Sequence, residues 1–377
     1  MITVRPGSHM YHLLCLLSVS GEFPSRSLGI FGDVRTIKAM IHKMESVQKF
    51  RLYSNNTVLA TKLFQVSGIR DKRTIRLSKN ALPVLNELHP DTLGYYLASY
   101  PDNRFTGNLL NMQRNHRVGE AIAMCIMTGI ETAPYILPEL KKDSIRSIVP
   151  DKPSLYISRD FKKIYEAELN KTVFTRLIGL MFYPGGCYSV YNARDSVMKW
   201  SGLGEIKARQ ELSEIVRMNA GLNEVTSAIL FGSSEETAIQ TIVESDKSIK
   251  KDVRFDKVYD RIHFVPLNQN GIDLLKILTL PDWHEKLMSV LFSAKMRPKG
   301  YGSIEFDAYW DNKYYYSHLD GDMARLIRFR ESLQSQAQPF ESLCFPWQAK
   351  FLSGYLGNAV TLKQLAAPKV LKALGII

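Results

Sequence analysis

Within its first ninety residues the chain sets three short helical patterns ahead of a basic, strand-like stretch, and few folds use that order. Residues 11–19 form an apolar run closed by Gly21, a residue that ends helices because it enters the left-handed backbone region without steric cost. Pro24-Ser25-Arg26-Ser27 opens a second short helix that ends near Gly32. Asp33 is placed to N-cap a third helix running to about Gln48. In that helix Val34, Ile37, Ile41 and Met44 recur at spacings of three and four, so they form one buried stripe, while Arg35, Lys38, His42 and Glu45 share the polar face. Residues 50–53 and 74–77 then read as two strands, and the long loop between them carries the Ser67-Gly68 turn signal with Arg70, Lys72 and Arg73. Three helices followed by a two-stranded basic wing is the order of a winged helix-turn-helix, here spanning residues 11–100. Residues 81–88 and a further stretch to about Ser99 continue it as helix.

Charge falls on the same segment. Residues 1–90 hold 13 Lys/Arg against 5 Asp/Glu, which is most of the surplus behind the chain's net charge of +12. A basic patch on a small helical module is the electrostatic footprint of a phosphate-backbone partner. In such modules the third helix enters the major groove and the wing touches phosphate or the minor groove. Arg35, Thr36, Lys38, His42 and Lys43 are therefore the expected contacts to base edges or phosphates. Arg70, Lys72, Arg73 and Arg76 are the expected backbone contacts, which position without specifying sequence. The competing reading is a protein-interaction module whose charge is a solvated face.

Downstream the pattern changes. A turn-rich stretch, 100–107, leads into a long helix, 108–128, with Arg114, His116 and Arg117 on one part of its surface, and 148–153 is a second break. Residues 101–150 read as a helical linker. From 154 strands alternate with helices: a strand at 154–157, a hairpin of 176–183 with 187–192 across Pro184-Gly185-Gly186, a third strand at 197–200, and a helix at 204–219. A buried strand at 227–231 precedes a helix at 233–244 with a Ser233…Glu236 capping box. A strand at 261–266 and helix from 271 to 292, interrupted at Pro281, follow. This alternation argues for a three-layer α/β domain over residues 151–377 with partly parallel strands. A second hairpin, 303–317, turns at Asp311-Asn312. Helix at 322–333 and a tail of 342–345, 347–355 and 359–363 close the pattern. The fold class is thus mixed α/β, with a degenerate restriction-endonuclease-like core as one form of the second part.

A chain of 377 residues exceeds one ordinary core and predicts two or three domains. No stretch approaches the roughly 20 uninterrupted apolar residues of a membrane span. Cys15, Cys125, Cys187 and Cys344 lie far apart and form no C-x-x-C pair, which argues against a zinc ribbon and for a reduced, cytoplasmic protein. Gly7-Ser8-His9-Met10 reads as an expression-tag remnant, so residues 1–10 are expected to lie outside the fold.

Catalytic signals are sparse. Asp195, Glu205 and Lys207 match the acid, acid-x-lysine layout in which two carboxylates hold Mg²⁺ and a lysine orients the attacking water. Here, however, Glu205-Ile206-Lys207 opens a helix instead of lying on a strand, and a plain helix surface explains it as well. Phe231-Gly232-Ser233-Ser234-Glu235-Glu236 is a strand–loop–helix junction where exposed N–H groups could hold a phosphate, yet two glutamates in the first turn suit the helix dipole and repel an anion. The histidines after His12 are scattered, so the paired-histidine metal site of nickases is not found, nor is the H-x-x-R with late tyrosine of tyrosine recombinases. His263, inside an apolar strand, reads as a core or edge residue. Tyr309, Trp310, Tyr314, Tyr315 and Tyr316 beside Lys313 could stack bases, although aromatics in a hairpin ordinarily pack the sheet.

The layout resembles the replication-relaxation proteins of Gram-positive plasmids and conjugative elements. The residues that carry the resemblance are the helix-turn-helix of 11–48, the wing ending in Thr74-Ile75-Arg76-Leu77-Ser78-Lys79, and the helix segment Arg114-Asn115-His116-Arg117-Val118-Gly119-Glu120, within a span of 11–292. The resemblance implies a duplex DNA-binding protein of a mobile genetic element acting in replication, relaxation or transfer, and it adds Arg114 and Arg117 to the DNA-contacting set. Expected partners are double-stranded DNA, replication or transfer proteins and a second copy of the chain, with no membrane. No cofactor is expected; Mg²⁺ belongs only to the alternative of a restriction-type nuclease. A second alternative is a transcription regulator whose α/β domain senses a small molecule.

Overall fold

The computed structural model describes residues 1–54, 56–105, 108–138, 140, 152–160, 176–200, 202–244, 254–297, 305–333 and 339–377. The fold is mixed α/β with several sheets. Among the described residues no helix is long and apolar enough to cross a membrane.

Helix α1 (His9–Ser20) starts where Ser8 accepts from Tyr11 N and ends at Gly21, φ 72°. Strand β1 (Glu22–Pro24), a 3₁₀ helix (Ser25–Phe31) and α2 (Val34–Met44) follow. The Asp33 carboxylate caps α2 as expected, accepting from Thr36 N at 2.8 Å, but the helix ends at Met44, because Gln48 already begins a strand. That strand, β2 (Gln48–Leu52), pairs antiparallel with β3 (Thr57–Thr61). The expected two-stranded wing of 50–53 with 74–77 is therefore corrected. Strand β5 (Thr74–Leu77) pairs with β4 (Phe64–Ser67) on one side and with β1 on the other. The long loop hid a complete hairpin, whose turn includes Asn56 at φ 51°. The expectation that residues 1–10 lie outside the fold is corrected as well. Ile2 donates to Lys49 O and accepts from Arg51 N, both hydrogen bonds to the outer edge of β2, since an exposed strand edge pairs with any extended segment that reaches it.

Helix α3 (Thr92–Ser99) leads to α4 (Leu109–Thr128), which is buried along Ala121–Cys125 and packs on α1 and β1. Arg114, His116 and Arg117 do not share a solvated face: His116 is buried and the two arginines are half-buried. The break at 148–153 lies outside the described residues except for its last two positions.

The larger sheet runs in the order β10-β9-β8-β7-β6. Strands β6 (Ser154–Ile157), β7 (Gly179–Tyr183) and β8 (Gly186–Arg194) form an antiparallel meander. Strands β9 (Ser227–Gly232) and β10 (Arg261–Pro266) then add in parallel. Alternate residues face opposite sides, as a pleated strand requires: Leu155, Met181, Val190 and Ile229 join the core with α4, whereas Tyr156, Phe182, Tyr191 and Leu230 join a second core with α5 (Leu203–Ala220) and α6 (Glu235–Val243). The expected strand at 197–200 is not one. Trp200 is instead a core anchor, stacked on Phe255 with ring centroids 3.7 Å apart. The expected Ser233…Glu236 capping box does not form; Ser234 alone caps α6 by accepting from Thr237 N.

The sequence tail forms a second sheet, β11-β12-β13-β14, built from Ala308–Trp310, Lys313–Ser317, Phe340–Cys344 and Val360–Gln364. The segment that follows β12 docks on the free edge of β10, where Phe264 N donates to Gly321 O at 2.8 Å and Ile262 N to Asp322 Oδ1 at 3.1 Å. His263 lies on that edge, its Nδ1 2.9 Å from Asp320 O.

Candidate nucleic-acid interface

The apolar stripe of α2 settles which way its charges point. Ile37, Ile41 and Met44 are buried, so Arg35, Lys38, His42 and Lys43 stand in solvent on the other face. Thr36 is also exposed, but its hydroxyl donates to Asp33 at 2.7 Å and is held at the cap. Glu45 fixes the far end of the helix to the neighbouring strand by accepting from Val66 N at 3.2 Å.

The segment joining β4 to β5 reverses at Gly68, φ 80°, where an added Cβ would meet Lys72 O at 2.4 Å. Only glycine fits that approach. The turn projects Arg70, Lys72 and Arg73 into solvent, while Arg73 O accepts from Ser25 N at 2.9 Å and pins the base of the turn to the 3₁₀ helix. Between α2 and this turn lies an open groove of about 510 Å³. Its polar rim is Arg26, Lys38, His42, Glu45, Arg70 and Arg73, and its floor is apolar, including Ile41 and Ile75.

The other expected contacts, Arg76, Arg114 and Arg117, are only partly open to solvent. Arg76 lies against the buried Glu22 carboxylate, Nε to Oε1 2.7 Å, and over the Phe105 ring. Arg114 donates to Ser158 Oγ at 3.4 Å, and burial lowers its pKa. Arg117 is half-buried, and its Nε has no hydrogen-bond partner among the described residues. Burial, with Arg194, Arg26 and Arg76 nearby, pushes the His116 imidazole down to about 3. It is therefore neutral, 2.9 Å from Thr74 Oγ1.

The three nuclease candidates do not share one geometry. Asp195 lies on Arg26, Oδ2 to NH1 2.8 Å. Glu205 is buried in the first turn of α5, 3.3 Å from Arg176, and Lys207 is exposed. Among the described residues no group of three or more His, Cys, Asp or Glu side chains could hold a metal ion.

Two residues escaped the sequence. Glu120, buried on α4, accepts from Ser27 Oγ at 2.6 Å and Asn192 Nδ2 at 3.0 Å, and sits 3.1 Å from Arg194 Nε. Helical spacing marks it only as one more polar position. Arg26 was legible as the start of a short helix, but nothing in its neighbourhood signalled that it borders the groove. No family model matches the chain, and no curated protein or solved structure matches it either.

Proposed function

We propose that this chain binds duplex DNA through α2 and the β4–β5 turn. The observation that carries the reading is the single groove on which exposed cations from both elements converge, over a helix whose opposite face is locked into the core. The chain order supports a winged helix with one inserted hairpin: helix, strand, two helices, the β2–β3 hairpin, then two strands around a basic turn, with β5 between β1 and β4. In this reading the solvent face of α2 enters the major groove with Arg35, Lys38, His42 and Lys43, and Arg70, Lys72 and Arg73 hold a sugar-phosphate strand beside it. Arg76, Arg114 and Arg117 support that face from behind. The role in replication, relaxation or transfer of a mobile element rests on the resemblance in layout.

The test is titration of a labelled duplex with the full chain across a salt series. Replacing both Arg35 and Lys38 with alanine is expected to weaken binding, and to flatten the slope of log K against log salt by about 0.9 for each of the two that also neutralises a phosphate. An unchanged affinity and slope in the double variant would remove α2 from the interface.

A further inference from the structure

Resting on the duplex-binding reading, we propose that Arg26 is a further backbone-phosphate contact of this face, and that the Asp195 carboxylate holds its place in the free protein. Arg26 lines the groove beside Lys38 and Arg73. Its two terminal nitrogens meet the two Asp195 oxygens, NH1 to Oδ2 at 2.8 Å and NH2 to Oδ1 at 3.4 Å. This is the two-pronged geometry in which a guanidinium binds a phosphodiester. Both side chains remain open to solvent, 34% for Arg26 and 58% for Asp195, so an incoming anion can reach the fork.

The carboxylate is delivered by a built feature of the sheet. The β8–β9 register slips between Asn192 and Arg194, and Arg194 takes φ 57°. Its N–H donates to Asn192 Oδ1 at 2.9 Å and its carbonyl accepts from Ser233 N at 2.7 Å. Bulges of this kind re-aim the residue beside them. Beneath it, the Arg194 side chain is buried against Glu120. Asp195 thus reaches Arg26, 169 positions earlier in the chain, from a rigid base. Once Asp195 lets go, Arg26 stands in the field of Arg194 and an anion is the group that fits there; Asp195 is also held ionised by Arg26 itself. An exposed ion pair is weak enough for a polyanion to displace, so Asp195 sets a threshold that DNA overcomes.

The full chain is titrated with a labelled duplex as wild type, Asp195→Asn, Arg26→Gln and the double variant. Asp195→Asn is expected to bind about two- to fivefold tighter, the range that losing an exposed ion pair allows. Arg26→Gln is expected to bind more weakly, with a salt slope flatter by about 0.9. The double variant should match Arg26→Gln. An unchanged or weaker affinity for Asp195→Asn overturns the proposal, and so does an equal gain in the Arg26→Gln background, which would mark a general field effect. Asp195→Ser removes the same charge with a different side chain and must agree. If the Arg35/Lys38 variant loses affinity while Asp195→Asn is silent, this inference alone fails. If the wild type shows no salt-dependent duplex binding, the reading beneath it fails too.

Discussion

Single buried side chains set the pH response of this fold. Glu235 opens α6 with its side chain 6% exposed, and its Oε1 has no hydrogen-bond partner among the described residues. Burial, with Glu236 adding repulsion, pushes its carboxyl from the ordinary 4.5 up to about 9. Burial also pushes the fully enclosed His318 from 6.5 down to about 4. The two therefore meet as neutral groups, Nε2 to Oε1 4.0 Å. For Glu235 the folded pKa lies above the unfolded one, so the folded state keeps a proton that the unfolded chain releases, and stability falls as pH rises from 4.5 towards 9. For His318 the folded pKa lies below, so stability falls as pH drops from 6.5 towards 4. Glu235→Gln keeps the shape and removes the titration. It is expected to raise stability at pH 8 by more than about 2 kcal/mol and to leave it unchanged at pH 4.5. Thermal melts at both pH values check this, and an equal change at both would show that the side chain does not titrate as its burial requires.

Among the elements, the basic turn depends most on one residue. Gly68 adopts a backbone that L side chains rarely visit, and its missing Cβ leaves room for Lys72 O. Gly68→Ala is expected to cost about 1–3 kcal/mol and to weaken duplex binding by displacing Arg70 and Arg73, with calorimetry and the duplex titration as readouts; full retention of both would mean the turn is not held as described. The Ser67-Gly68 signal was legible in sequence, as were α1, α2 and the Pro184-Gly185 hairpin, because glycine placement and helical spacing are local properties. Pairing is not local. Residues 50–53 looked like a partner for 74–77, but β-branched and apolar residues of 57–67 supplied nearer partners, and the short strand β1 carried no alternation that could announce it. Of the final sheet only the hairpin at Asp311-Asn312 was legible, for the same reason: β12, β13 and β14 are parallel neighbours, and parallel order comes from the helices between strands. The groove was half visible. Its α2 and turn cations followed from charge and spacing, whereas Arg26 and Asp195 come together only through the bulge at the end of β8.

On the scale of the whole molecule, α4 decides how the parts behave together. Sequence reading placed it in a linker because turn-rich segments flank it, yet it packs against α1 and β1 on one side and against β6, β8 and α7 (Gln269–Leu278) on the other. Its Ala121–Cys125 stretch belongs to one apolar core that runs from Leu13 and Phe23 through to Val190 and Ile229. A polar tie crosses the same boundary: Glu120 joins Ser27 to Arg194 and Asn192, while Glu22, which holds Arg76, anchors α4 through Asn115. A buried carboxylate stripped of its partners costs about 3–5 kcal/mol, so neither side can unfold without exposing apolar surface and orphaning charge on the other. The basic face and the larger sheet are therefore expected to melt in one transition, with calorimetric and van't Hoff enthalpies in agreement. Glu120→Ala, which cuts the central tie, is expected to lower that single transition without splitting it, because the apolar core still spans the boundary. Two resolved transitions in the wild type would show that α4 joins the parts only loosely, and that DNA held by α2 could not be felt at β8.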